Sequence, residues 1–232
     1  MKRVGTILLV LLLVGGAWFG WRWLERHPQH NPYAPLSLAH PIGWATSDKL
    51  TALVDTPEQC GVLFQEAGVA AASFDFPGGM GECRLSKPVM LLSEAIKLRP
   101  TQPLSTCAAA AGLVLWEQKI VAPAAEKHFG QRVISLEHMG TTNCRRIAGG
   151  SRMSEHATGN AYDIAAFRLA SGRRVALIDG WDGKADEQAF LRDVRDGACA
   201  IFGTTLSPDF NAAHADHFHF DMAARDFGAV CR

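Results

Sequence analysis

Two short stretches of this chain hold residues able to bind a metal ion and move a proton. The first runs Ser154-Glu155-His156-Ala157-Thr158-Gly159-Asn160-Ala161-Tyr162-Asp163, and the second is Asp216-His217-Phe218-His219. Together they offer two histidines and a carboxylate as ligands, with a spare carboxylate beside them. Three protein ligands around an open fourth position are the coordination set of a catalytic zinc. Zinc lowers the pKa of a bound water from about 15.7 to about 7. A neighbouring carboxylate can take that water's proton during attack on an amide and pass it to the leaving amine. The metal and a positive or hydrogen-bonding group then stabilise the oxyanion. Spacing alone leaves plainer readings open: His217 and His219 as a surface pair on an edge strand, and Asp163 as a loop cap.

The elements must bring these residues together. On a strand, Ala161, Asp163 and Ala165 share a face, which sets the Asp163 carboxylate in a recess between small residues. His156 lies seven positions earlier, across Gly159. A chain reversal at Gly159-Asn160 can swing the imidazole beside the carboxylate. His217 and His219 also share a strand face, so one can bind metal while the other orients substrate. Asp216 is the candidate general base. A regular strand would point it away from His219, so this reading needs the strand to start, or to bulge, at about His217. His214 is either a competing ligand or a loop hydrogen-bonder. His138 ends a strand that could line the site. His27, His30 and His40 read as solvated.

Around these motifs, a short helix is expected over 48–54. A second starts at Thr56 (N-cap) and Pro57 and stops at Gly68. Strands are expected over 71–76, ended by Pro77-Gly78-Gly79, and over 83–92. The longest helix spans 105–129, kinked or restarted at Pro123 and ended by Gly130. Further strands read over 132–138, 159–167 and 173–178, a helix over 184–202, a loop over 203–215, and a last strand over 217–221. Helices first and clustered antiparallel strands later predict an α+β domain.

The 232 residues suit one domain, and 23 Lys+Arg against 23 Asp+Glu leave no net charge to attract nucleic acid. An apolar run from Val4 to Trp21 follows Lys2 and Arg3. About 18 apolar residues just reach across a bilayer core as a helix, and the preceding positive charge favours an N-inside orientation. A cleavable signal is the rival, but Gly15-Gly16-Ala17 is a poor cleavage site. Residues 1–23 are thus read as an anchor, 24–46 as a proline-containing extended linker that holds the domain off the membrane, and 47–232 as the domain. Cys60, Cys83, Cys107, Cys144, Cys199 and Cys231 form an even set without C-x-x-C, which fits disulfides outside the cytoplasm. Neighbour order pairs Cys60 with Cys83, Cys107 with Cys144 and Cys199 with Cys231.

The stretch from Cys144-Arg145-Arg146-Ile147-Ala148-Gly149-Gly150-Ser151-Arg152-Met153 through Asp163-Ile164-Ala165 resembles the signature of the bacterial extensin-like C-terminal domain family. So does the ending, from Phe202-Gly203-Thr204 through Pro208-Asp209-Phe210-Asn211 and Asp216-His217-Phe218-His219-Phe220-Asp221 to Cys231-Arg232. The resemblance covers about residues 56–232. More distantly, the same blocks are similar to the LAS metallopeptidases, zinc D-Ala-D-Ala carboxypeptidases and murein endopeptidases. Ser154, His156, Gly159, Ala161 and Asp163 match their S-x-H-x-x-G-x-A-x-D block, and Asp216, His217 and His219 match the later one.

That resemblance implies a small antiparallel sheet flanked by helices, with His156, Asp163 and His219 as ligands of Zn2+. It implies Asp216 as general base, His217 as helper, and an upstream arginine near the substrate, Arg145 first and Arg152 second. The implied function is cleavage of amide bonds in peptidoglycan stem peptides by a domain anchored in the inner membrane and facing the periplasm, with endopeptidase preferred to carboxypeptidase. The alternative is a non-catalytic zinc-containing wall-binding or interaction domain; the same fold class includes hedgehog signalling domains, where a zinc site persists without established peptidase function.

Overall fold

The computed structural model describes residues 2–75, 78–92, 97–225 and 228–232. It begins with helix α1 (Lys2–Arg26), which is long and apolar enough to cross a membrane and is not buried against the rest of the chain. Residues 24–46, expected to be an extended linker, instead pack onto the domain. Leu38 is 1% exposed within the core, and Leu36 and Ile42 pack against it. The Ala45 amide donates to Gln29 O, and Lys49 Nζ donates to Pro28 O at 2.7 Å. The apolar residues between the prolines supply the anchors, and the prolines reduce the entropy lost on fixing the segment.

The helices come next. α2 (Thr46–Ala52) begins two residues earlier than expected, and α3 (Cys60–Glu66) follows a 3-10 turn, Pro57–Gln59. Thr56 does not cap that turn; its hydroxyl donates to Ala52 O. A small antiparallel pair, β1 (Ala71–Ser73) and β2 (Val89–Leu91), is shorter than the two strands expected there. The end of the first at Phe76 and its Pro77 breaker lie outside the described residues. Residues Gly81–Cys83 form a 3-10 turn rather than the start of the second.

The main sheet has seven strands among the described residues: β3 (Leu98–Arg99), β4 (Val133–Gly140), β5 (Ala161–Leu169), β6 (Arg174–Ala176), β7 (Thr204–Leu206), β8 (Phe218–Asp221) and β9 (Val230–Cys231). They run in the order β3-β4-β5-β8-β7-β9, with β6 paired to the far half of β5. The centre, β4 to β7, is antiparallel as expected, whereas β3–β4 and β7–β9 are parallel. β3, β7 and β9 were not foreseen. They are two or three residues long, too short to show a period.

One face of this sheet is covered by helices. α4 (Cys107–Trp116) is buried on all sides. It passes through a π-turn, Glu117–Val121, into α5 (Ala122–Phe129), which ends at Gly130 in a left-handed conformation as expected. Pro123 has no amide hydrogen for a helical bond, and the wide turn before it absorbs the defect. After the short α6 (Leu177–Gly180), α7 (Ala185–Ala198) buries Phe190, Leu191 and Val194, and Trp116 Nε1 donates to Val194 O at 2.8 Å. The α+β class is therefore the observed one.

The disulfides are Cys60–Cys107, Cys83–Cys144 and Cys199–Cys231. Neighbour order is right only for the last. α3 packs on α4, so the cysteines that open the two helices, Cys60 and Cys107, face each other. Cys83 is thereby left to meet Cys144.

Candidate metal centre

β5 and β8 pair with Asp163 directly opposite His219. Alternation sends their neighbours Tyr162, Ile164, Phe218 and Phe220 into the core and leaves these two polar side chains together on the outer face. His156 reaches the same point from a 3-10 turn, Glu155–Thr158, capped by the Ser154 hydroxyl. Gly159 then reverses the chain with φ +69°, a conformation that favours glycine. The turn is locked to α4: Glu155 Oε2 accepts from Asn160 Nδ2, Asn160 Oδ1 accepts from Thr106 Oγ1, and Thr106 caps α4 at the Ala109 amide. The reversal expected at Gly159-Asn160 is what brings the imidazole to the carboxylate.

Three atoms converge. His156 Nε2 lies 3.1 Å from Asp163 Oδ1 and 3.1 Å from His219 Nδ1, and His219 Nδ1 lies 3.0 Å from Asp163 Oδ1. The outer atoms fix the tautomers. His156 Nδ1 faces the Thr141 carbonyl at 3.1 Å, and His219 Nε2 faces Asp221 Oδ2 at 3.1 Å. Each of those ring nitrogens must donate, so in the neutral rings the nitrogens facing inward carry lone pairs. Asp163 is an acceptor too. Three acceptors this close repel one another unless a cation sits among them.

The electrostatics agree. Burial opposes charge on Asp163, but its bonds to His156 and His219 prevail and hold its carboxyl well below the usual carboxylate range. Burial likewise opposes a charged His219, but bonds to Asp163 and Asp221 outweigh it and raise the ring's pKa to about 9. With two protons, His219 donates to both carboxylates; a metal ion would take the place of the inner proton. Tetrahedral zinc with ligands near 2.0–2.1 Å sets them roughly 3.3 Å apart. The observed triangle is a slightly contracted face of that tetrahedron, and the donor set His156, Asp163 and His219 fits zinc.

The triangle opens on a cleft of about 490 Å³, whose walls include Arg145, Arg152, His214, His217 and Arg225. Arg145 and Arg152 stand on the two arms of a small hairpin, where the Ser154 amide donates to Arg145 O and the Ile147 amide to Arg152 O. The Cys83–Cys144 disulfide ties down its base. His217 Nε2 lies 3.7 Å from Asp163 Oδ1, while His217 Nδ1 donates to Asp216 Oδ1 at 2.7 Å. Asp216 itself is half exposed and is not among the cleft's wall residues. The strand starts at Phe218, so Asp216 lies outside it and meets the centre through the His217 ring.

The family described as "Extensin-like protein C-terminus" matches residues 58–232. The chain belongs to this family. No curated protein and no solved structure matches it.

In this extensin-like domain the residues singled out in the sequence divide clearly. His156, Asp163 and His219 meet; His217 and Arg145 line the same cleft; Asp216 holds His217 from outside. His138 is elsewhere, with Nε2 donating to Thr101 O. His27 and His30 are not solvated linker residues, for both rings stack on Trp23.

Two contributors escaped the sequence reading. Asp221 follows His219 by two positions, so the period of the strand already placed it on the same face. Thr141 contributes a backbone carbonyl, which side-chain chemistry cannot announce. His214, expected as either a competing ligand or a loop hydrogen-bonder, is the latter: it lies on the cleft wall with its Nδ1 donating to Asn211 Oδ1 at 2.8 Å and its ring 5.2 Å from that of His217. Burial, then the charges of His217 and His219, push its pKa down to about 4. It is neutral at pH 7 and leaves Nε2 as an acceptor.

Proposed function

We propose that this chain is a membrane-anchored zinc peptidase that cleaves amide bonds in peptidoglycan stem peptides or cross-links. The observation that carries the reading is the convergence of three lone pairs, from His156, Asp163 and His219, at the floor of an open cleft. When bound there, zinc supplies a water of lowered pKa and polarises a carbonyl. The chain's own groups do the rest. His217 stands beside the centre with its outer nitrogen fixed by Asp216, so this pair accepts a proton and returns it to the leaving amine. Arg145 and Arg152 bring positive charge to the rim, where a carboxylate or a developing oxyanion would lie. His214 offers an acceptor to a peptide N–H.

The substrate class rests on three supports. An N-terminal helix able to cross a membrane and three disulfides suit the periplasmic side of an inner membrane. The cationic rim suits the carboxylates of wall peptides. The two motif blocks are similar to those of the LAS peptidases. An open cleft favours the endopeptidase over the carboxypeptidase.

A second reading, a zinc-containing wall-binding domain without catalysis, is favoured by the outward position of Asp216. Purified muropeptides incubated with the zinc-loaded chain separate the two. Cleavage by the wild type, lost in Asp216→Ala while zinc is kept, supports the peptidase. Zinc binding with no cleavage of any monomeric or cross-linked muropeptide rejects it in favour of the wall-binding domain.

A further inference from the structure

We propose that aromatic residues around the end of α1 form a seat on the lipid–water interface, which holds the folded domain directly against the bilayer surface. This rests on the reading of α1 as a membrane anchor and adds the domain's own contact with lipid. The C-terminal part of α1 carries Trp18, Phe19, Trp21 and Trp23, all with exposed rings. Trp and Tyr gather where a membrane-spanning helix leaves the hydrocarbon, because their rings are apolar at one end and polar at the other. Two more such rings come from the segment that packs on the domain: Trp44 is 68% exposed and Tyr33 is 89% exposed.

Trp44 is joined to the helix rather than set apart from it. The His30 ring stacks on Trp23 with centroids 5.3 Å apart and lies 4.4 Å from Trp44. Trp44 Nε1 donates to His30 O, and the Trp44 amide donates to His30 Nδ1. His27 Nδ1 donates to Trp23 O at 2.8 Å. From this cluster the connection to the core is short: Lys49 of α2 donates to Pro28 O, and Leu38 is buried. Trp23 and Trp44 are 5.6 Å apart. A bilayer surface that accepts Trp23 at the end of a spanning helix therefore meets Trp44 as well. This continuity selects lipid as the occupant of the exposed aromatic face. The consequence is that the domain is not held off the membrane by a free tether.

The test uses the full chain with fluorotryptophan in phosphatidylcholine nanodiscs, each resonance assigned by its loss in a single Trp→Phe variant. A nitroxide-labelled phosphatidylcholine should broaden the Trp18 and Trp44 resonances in fluorine NMR, and a water-soluble gadolinium chelate should spare both. Trp181, buried in the domain, should respond to neither. If lipid label broadens Trp18 while Trp44 responds only to the chelate, the seat is overturned and the anchor stands. If Trp18 is not broadened by lipid, the anchor reading fails and the seat falls with it.

Discussion

The two faces of β5 and β8 make the sharpest contrast in the molecule. Toward the helices they present Tyr162, Ile164, Phe218 and Phe220, all buried; Phe220 stacks on Phe202 at 4.7 Å and meets Trp116 edge-on at 4.9 Å. Toward the cleft the same strands present Asp163, His219 and Asp221, bonded to one another. Successive side chains of a strand point to opposite faces, so the dry face sets the register of the polar one. The site is thus positioned by packing that it does not touch. Its own electrostatics does not set that register, for three inward acceptors need a metal ion or a proton among them to stay together.

The contrast can be broken from the dry side first. Phe220→Ala removes a ring from the middle of the core and should cost about 3–5 kcal/mol of stability. Denaturant unfolding measures it; a loss below about 1 kcal/mol would mean that this face does not set the register. From the polar side, Asp221→Asn leaves the packing alone but weakens the partner that fixes the His219 tautomer. Zinc affinity should drop roughly 10–100-fold, read by competition with a chelating dye, while the unfolding midpoint of the metal-free chain moves much less than in Phe220→Ala.

A smaller effect separates the faces by pH. Without metal, the folded chain favours protonated His219, with its pKa raised to about 9 from 6.5. That contribution is complete below about 6.5 and disappears as pH rises through about 9. The Tm of metal-stripped protein should therefore fall across that window, and His219→Gln should flatten the fall. Phe220→Ala lowers Tm without changing this slope, because no titrating group is lost.

The sequence showed the polar face better than what surrounds it. Asp163, His217 and His219 were legible because period-two alternation and a small set of metal-binding residue types coincide in a few positions. Asp221 obeys the same period, but an aspartate at the end of a strand carries no local signal that sets it apart from a loop cap. Thr141 acts through its backbone, and Cys60 finds Cys107 through helix packing; both depend on tertiary contacts that no local pattern records. The burial of Leu38 shows the same limit, for its proline-rich surroundings favour an extended segment until a groove is present to receive the leucine. The role of Asp216 changed most: spacing placed it beside the ligand, whereas the strand's start at Phe218 turns it toward His217.

The central claim is that the convergent acceptors are a zinc site, and metal content tests it most directly. The purified full chain, loaded with zinc and dialysed against metal-free buffer, should retain one equivalent by elemental analysis. Wild-type protein that retains none, or His219→Ala protein that retains as much as the wild type, would contradict the account.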